Sequence, residues 1–459
     1  MQLTLAEITS AVAGELINGN PKQLIKGVST DTRSLQPGDL FVPLTGEHFD
    51  GHSFISVAMT AGGAASLWNR KTELPAVAMS LILVDDTLVA LQKLARYYRH
   101  EVNPIVIGIT GSNGKTTTKD ILSAILAEHY HIWKTEGNLN NHIGLPLTIL
   151  SMPEETEVLI VEMGMNHLGE IALLTQIAEP DHVIITNIGE SHIEFLKTEA
   201  KIIEAKLEIL LGLADGGYAI LPGDQEPVRS EVARRGVANV RWIGLEKAND
   251  NYVVDFHKDD LAGITFSDKN GDRYQLPLIG NHNAVNALMA IEVAKILRVD
   301  VAKIQAGLLK VQASGMRLEI EKLANGSIIL NDAYNASPTS TSCSVQLLAA
   351  IADFPYKVAV LGDMLELGSE SARYHYRIGN LIAELEIDYL ITIGNFAQDI
   401  IDGAIDNGFN IANVYKASTV EEIADVLSKH EQLGSAILVK GSRGNRLERV
   451  VELLLKNKA

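Results

Sequence analysis

The strongest constraint on how this chain folds is the run Ile105-Val-Ile-Gly-Ile-Thr-Gly-Ser-Asn-Gly-Lys-Thr-Thr-Thr118. Ile105–Ile109 is short, apolar and β-branched, which predicts a buried strand. Gly111 and Gly114 permit a tight turn that brings several backbone N–H groups to one anion. Lys115 adds a positive charge and Thr116 a hydroxyl for Mg²⁺. Helix-compatible Lys119–Glu128 follows at once. Strand, glycine turn and helix together describe a nucleotide-phosphate cradle. The usual pattern is G-x-x-x-x-G-K-[ST]. Ile109 stands where its first glycine belongs and Gly108 comes one residue early, which leaves the shorter Gly111-x-x-Gly114-Lys115-Thr116. An ordinary strand-to-helix turn is the alternative, and the flanking strand and helix disfavour it.

At 459 residues the chain is too long for one core, so two or three domains are expected. With 39 basic and 57 acidic residues the formal charge is −18, against general nucleic-acid binding and an anionic membrane surface. Any phosphate site is therefore local, built from amides and a few cations. One cysteine, Cys343, excludes an internal disulfide and a Cys-rich zinc site. Met1–Glu7 lacks the basic region and apolar run of a signal peptide. No uncharged apolar run reaches the roughly 20 residues that span a bilayer. A reducing, cytoplasmic setting is expected.

Residues 1–102 read as a small α/β unit. Leu3–Val12, Phe54–Ala61 and Thr87–Tyr98 are predicted helices; Leu40–Leu44 and Leu81–Val84 are predicted strands. In Ser29-Thr-Asp-Thr-Arg33, Arg33 with nearby hydroxyls can hold a phosphate or carboxylate, or the segment is a solvated turn held by Asp31 and Thr32. His48 and His52 are four apart, but Gly51 argues against a helical metal pair. Asn103-Pro104 marks a boundary, because proline disfavours helix before it.

Over 103–313 strands and helices alternate, which predicts a parallel sheet with crossover helices. Val158–Val161 ends in Glu162 and His182–Asn187 ends in Asn187. Both sit at strand C-terminal ends, where open α/β sheets hold ligands. Glu162 beside a phosphate loop is a Mg²⁺ partner or, alternatively, a solvated strand end. His167–Ala178 and Glu199–Leu213 are predicted helices, the second carrying Lys206, which in isolation reads as a solvated lysine. Residues 250–279 read as a short antiparallel addition with turns at Asp259–Gly263 and Lys269–Asp272. Polar, small Gln312–Met316 reads as a hinge. Over 314–459 a third α/β unit follows, with strands at Ser327–Leu330, Lys357–Leu361, Tyr389–Ile393 and Ala436–Val439. It is Rossmann-like without a G-x-G-x-x-G, so dinucleotide binding is not expected.

In combination these motifs carry a family resemblance. Ser29–Arg33, Gly46–His52, Gly111–Thr117, Gly137-Asn-Leu-Asn-Asn-His-Ile-Gly144, Glu162–Met165, His282–Asn286, Asn331–Pro338, Leu361-Gly-Asp-Met-Leu-Glu-Leu-Gly368 and Val439–Arg443 occur in the order seen in muramyl ligases. The chain resembles that family over nearly its whole length, and the shortened phosphate loop is how the family looks. The Asp-Asn-Pro-Arg signature of the diaminopimelate-adding members is absent. Tyr334–Pro338 and Leu361–Gly368 look like the members that add D-alanyl-D-alanine to UDP-N-acetylmuramoyl-tripeptide. Ser337 departs from the asparagine more usual before that proline.

The resemblance implies three domains: a UDP-sugar unit, a central P-loop ATPase unit and a Rossmann-like unit for the incoming dipeptide. It implies an acyl-phosphate route, in which two anions must approach and catalysis needs positive charge and positioning. Lys115 and the amides of Gly111, Ser112, Asn113, Gly114, Thr116 and Thr117 would hold ATP phosphates. Thr116 and Glu162 would hold one Mg²⁺; His192 and Lys206, the latter carbamylated, a second. Asn283 and Asn286 resemble adenine-contacting groups, although Asn283 also reads as a helix N-cap. Arg317 and Asp332 resemble groups that reach ATP on domain closure. Asn335, Lys440 and Arg443 are candidates for the dipeptide side, and Ser29, Arg33, His48 and Asn138 for the UDP-sugar substrate. No nucleic acid and no membrane insertion are expected, and a monomer is. The competing expectations are a sibling ligase with another amine, the related folate polyglutamating ligase, and a nucleotide-switch ATPase that ligates nothing.

Overall fold

The computed structural model describes residues 1–258, 260–430 and 434–456. Among them, three sheets with parallel cores follow one another along the chain. The first has the order Glu15–Ile17, Ser80–Val84, Ala65–Asn69, Leu40–Phe41, Val28–Ser29. Only its Glu15–Ile17 edge runs antiparallel. Helix Thr87–Val102 leaves this unit and ends at Asn103, left-handed at φ +51°, whose N–H caps Arg99 O at 2.8 Å. Pro104 follows, so the predicted break is a helix C-cap.

The central sheet has seven parallel strands, with Ile105–Thr110 between Val158–Glu162 and His182–Ile185. Its period-two pattern explains its burial on both sides. Ile107, Ile109, Ile160, Ile184 and Ile220 face helices Lys115–Leu126 and His282–Ile296. Val106, Leu159, Val161, Val183 and Ile185 face the other way. That second core is continuous with Leu91, Leu94 and Tyr98 of the first unit. Tyr98 Oη donates to Met152 O at 2.8 Å, so the two units share one packed seam. From Ile105–Thr110 the chain runs to one side of the sheet through Ile132–Lys134 and Val158–Glu162, then to the other side through His182–Ile185. The glycine turn therefore sits at the reversal of strand order, where a crevice opens at the carboxyl edge.

The antiparallel addition is present as Val254–Lys258, Ile264–Ser267 and Arg273–Leu276. Of the predicted turn Asp259–Gly263, Asp259 lies outside the described residues and Asp260–Ala262 is a 3-10 turn. Lys295 pins this addition to helix His282–Ile296 through Asp268 at 2.6 Å and Asp272 at 3.0 Å. The Asp268 side chain is fully buried. Replacing Lys295 by methionine leaves that carboxylate without its cation and is expected to cost about 3 kcal/mol of stability, read by denaturant unfolding.

The third sheet has the order Glu319–Lys322, Ile328–Asp332, Ser435–Lys440, Tyr356–Leu361, Tyr389–Ile393, Val414–Ala417. The last strand in sequence inserts between the first two parallel ones. That pairing sets Asp332 opposite Lys440. Leu330, Ala359, Leu361 and Leu438 fill one face; Ile329, Val358, Val360 and Val439 fill the other.

Several predicted bounds are corrected. The helix expected from His167 begins at Glu170, after the left-handed Gly169. The helix expected over Glu199–Leu213 ends at Lys206 and tightens into a 3-10 segment, Leu207–Gly212. Asn331 and Asp332 belong to the strand rather than to the turn after it.

Candidate active site

The phosphate loop is held by the strand beside it. Gly111 has φ +147°, and a Cβ there would lie 1.9 Å from Thr186 Oγ1. No other residue fits. Thr186 Oγ1 donates to Asn113 O at 2.5 Å. The Asn187 amide clamps the same peptide, accepting from Asn113 N at 3.0 Å and donating to Asn113 O at 3.1 Å. Asn187, placed by sequence at a strand end, thus shapes the loop. Gly114, at φ +82°, starts helix Lys115–Leu126, so its free N–H groups open on the turn. Beneath Gly114 lies the Asn286 side chain, against which a Cβ would close to 2.9 Å.

Lys115 Nζ folds back to Gly111 O at 2.7 Å. Withdrawal from water lowers its pKa to about 8, opposed by Glu162 and reinforced by Arg317. A bound polyphosphate is the natural partner for a cation held at such a cost.

Glu162 is 1% exposed, so it is no solvated strand end. Its Oε1 is buried with no hydrogen-bond partner, and the Lys119 ammonium stands 3.4 Å away. Thr135 joins the two: its Oγ1 accepts from Glu162 N at 2.9 Å and its carbonyl accepts from Lys119 Nζ at 2.8 Å. Thr116 is buried close by on the first turn of the helix. A buried carboxylate oxygen that accepts no hydrogen bond, next to a phosphate loop, fits a hard divalent cation. Among the described residues no three His, Cys, Asp or Glu side chains form a ready cage. Mg²⁺ is usually held by one or two carboxylates together with substrate phosphates.

The reading of Lys206 as a solvated lysine is overturned. Lys206 is 1% exposed and has no hydrogen-bond or ion-pair partner among the described residues. Burial, followed by the charge of Lys115, pushes its pKa well below the ordinary lysine value. His192 is left-handed at φ +66°, with Nδ1 2.6 Å from Glu366 Oε2 of the third unit.

A cavity of about 460 Å³ collects most of the candidates. From the central unit it takes Ser112, Asn113, Gly114, Lys115, Thr116, Thr117, Glu162, His192, Asn283 and Asn286; from the linker and third unit, Arg317, Asp332, Asn335 and Lys440. Asn283 is not an N-cap, because the helix is preceded by Asn281 and the Asn283 amide donates to Ile279 O at 2.7 Å. Asp332 and Lys440 form a buried pair at 2.5 Å, and Lys440 Nζ also reaches Asn335 O at 3.1 Å. Arg317 stacks on Tyr334 at 4.1 Å. Ser337, the residue that departs from the family pattern, caps helix Pro338–Ala350 and donates to Asn113 Oδ1 at 3.1 Å. Thr339 Oγ1 donates to Glu190 Oε2 at 2.6 Å. The third unit therefore closes directly on the phosphate loop.

Other candidates stand apart. Gly111, Lys206, Ser29, Arg33, His48, Asn138 and Arg443 do not line the cavity. Arg33 is paired with Asp31 at 2.6 Å and Ser29 Oγ ties the same turn, the arrangement of the solvated-turn alternative. His52 is buried with Nδ1 2.6 Å from Asp50 and edge-on to Trp68. Arg443 Nη1 reaches Met316 Sδ at 3.0 Å.

Sequence reasoning missed Lys119 and Thr135. A signal for Lys119 existed: Lys115 and Lys119 share one helix face, a like-charge spacing that is unfavourable without an acid nearby. Thr135 carried none, since its role depends on the pairing of Ile132–Lys134 with Val158–Glu162.

Three family descriptions match: the Mur ligase family catalytic domain over 24–99, the Mur ligase middle domain over 109–294, and the Mur ligase glutamate ligase domain over 316–443. The UDP-N-acetylmuramoyl-tripeptide–D-alanyl-D-alanine ligase of Bacillus subtilis strain 168 is 42% identical over 456 residues, 99% of this chain and 98% of its own length. A crystal structure of MurF from Acinetobacter baumannii superposes with a TM-score of 0.90 at 29% identity, covering 99% of both chains. MurF ligase from Thermotoga maritima in complex with ADP superposes with a TM-score of 0.82 at 30% identity, covering 95% of this chain and 99% of that one. With a relative this similar along its whole length and a phosphate loop, buried carboxylate and third-unit residues facing one cavity, the chain belongs to the Mur ligase family.

Proposed function

We propose that this chain joins D-alanyl-D-alanine to UDP-N-acetylmuramoyl-tripeptide at the expense of ATP, the last peptide extension of a cell-wall precursor made in the cytoplasm. The observation that carries this reading is the single cavity in which the phosphate loop and Glu162 face Asp332, Asn335 and Lys440. Segments 1–102, 103–313 and 314–459 would serve as UDP-sugar, ATP and dipeptide units, in a chain that works as a monomer.

The reaction suits the geometry. The tripeptide carboxylate attacks the γ-phosphorus of ATP, the bond to ADP breaks, and an acyl phosphate forms. The dipeptide amine then attacks the acyl carbon, loses a proton and expels phosphate. Lys115 and the loop amides hold the β- and γ-phosphates and offset the meeting of two anions. Thr116 and Glu162 would hold one Mg²⁺, and His192 with Lys206 a second. Bound there, the metal supplies charge neutralisation at the transferred phosphoryl group. Lys206 suits carbamylation: burial lowers its pKa and so favours the free amine, whose nitrogen adds to CO₂ as a proton leaves, and the product is a carboxylate-like ligand. Asn283 and Asn286 lie toward the nucleotide, Arg317 and Asp332 approach it from the third unit, and Asn335, Lys440 and Arg443 receive the dipeptide. Ser29, Arg33, His48 and Asn138 remain the candidates for the UDP-sugar. Contacts such as Ser337 to Asn113 keep water from the acyl phosphate, which hydrolyses readily.

The test is ADP release from purified protein with ATP, UDP-muramoyl-tripeptide and a panel of amines. Release should require both tripeptide and D-alanyl-D-alanine. Release with neither is the nucleotide-switch outcome and overturns the reading, as does release with a different amine. Lysine- and diaminopimelate-containing tripeptides compared side by side identify the third residue.

A further inference from the structure

The central and third units meet where the 187–198 segment faces the Leu361–Gly368 turn. Glu194 N–H donates to Glu366 O at 3.0 Å, and a Cβ on Gly368 would stand 3.4 Å from Glu194. Beside this backbone contact His192 Nδ1 lies 2.6 Å from Glu366 Oε2. The carboxylate sits off the ring N–H axis, so Nδ1 has no aligned hydrogen bond, although it is buried. Both residues are left-handed, His192 at φ +66° and Glu366 at φ +64°. Two non-glycine residues in that sparsely populated region thus face each other across the interface. The Glu366 side chain is 41% and that of His192 21% exposed.

An imidazole that binds a metal through one nitrogen gives its other N–H to a carboxylate or carbonyl, which selects the tautomer and fixes the ring. Glu366 occupies that second position, and His192 lines the cavity. We propose that Glu366 is a positioning residue that takes the Nδ1–H of His192, leaves Nε2 for the second Mg²⁺, and makes that site complete only when the third unit is docked. A small rotation of the ring aligns the N–H with the carboxylate. The metal site is thus shared between units although its ligands all belong to the central one. This inference rests on His192 being a metal ligand, as read above.

Mn²⁺ in place of Mg²⁺, titrated into the full-length chain with a non-hydrolysable ATP analogue and followed by electron paramagnetic resonance, counts the sites. Nitrogen-15 NMR of histidine-labelled protein reads the His192 tautomer, which mere loss of docking strength would not move. The wild type should bind two Mn²⁺ and carry the His192 proton on Nδ1. Glu366→Ala should weaken the second Mn²⁺ at least tenfold, leave the first unchanged and shift the tautomer. Glu366→Gln, whose amide oxygen still accepts, should restore part of both. The proposal is overturned if Glu366→Ala keeps both sites and the tautomer while His192→Ala loses the second site. If His192→Ala also keeps both, the metal role of His192 is what fails, and the proposal goes with it.

Discussion

Replacing Lys115 by methionine is expected to lower kcat for ADP release by about 10³-fold or more, with little change in the thermal unfolding midpoint. The side chain is nearly the same length without its charge. In the free protein Lys115 is bonded only to loop carbonyls, Gly111 O at 2.7 Å and Ser112 O at 3.5 Å. Folding therefore gains little from the ammonium, whose pKa is already lowered by its surroundings. Its use comes when a carboxylate and a triphosphate, both anionic, are brought together. A loss below tenfold, measured by coupled ADP release at saturating ATP, tripeptide and dipeptide, would remove Lys115 from the reaction.

The second large effect is expected at Lys206. In Lys206→Ala activity should fall by orders of magnitude, and short carboxylic acids such as acetate should restore part of it. The reason is the solitude of this side chain: it is fully buried, has no partner among the described residues and lies under the field of Lys115. A free ammonium there is unfavourable and binds no metal. A carbamate is anionic, answers the Lys115 charge and offers hard oxygen ligands. The alanine variant leaves a space for an added carboxylate to fill. Full activity in Lys206→Ala would sink the carbamate role. Mass spectrometry under native conditions, with and without bicarbonate, checks the modification itself.

What could be read before folding was whatever is local. Ile105–Thr118 shows its strand, turn and helix in consecutive residues, because glycine conformation, β-branching and helix start are properties of neighbours. Lys357–Leu361, Tyr389–Ile393 and Ala436–Val439 of the third unit were legible as strands for the same reason, whereas Glu319–Lys322, Val414–Ala417 and helix Ala397–Asp406 were not. Ala65–Asn69 was not, since Ala-Ser-Leu-Trp-Asn has neither alternation nor an unbroken β-branched run, and its strand state comes from pairing with Ser80–Val84. Glu162 was legible as a strand end beside a phosphate loop; that it is buried with an orphan oxygen was not. Lys206 had a place in the family pattern but no local mark at all.

The sequence by itself determined the phosphate loop, the alternation of strands and helices, the succession of three α/β units and the family they belong to. Only tertiary structure decided which of those residues share a site. Strand order set Asp332 opposite Lys440 and brought the Asn187 amide under the loop, while the meeting of the third unit with the central one put Ser337 against Asn113. The same meeting of units set Glu366 beside His192, and Lys206 is buried by residues around it rather than by its neighbours in the chain. Secondary structure is written in near neighbours. Burial, pKa and the meeting of distant charges depend on which strands lie side by side, and chain spacing does not carry that information.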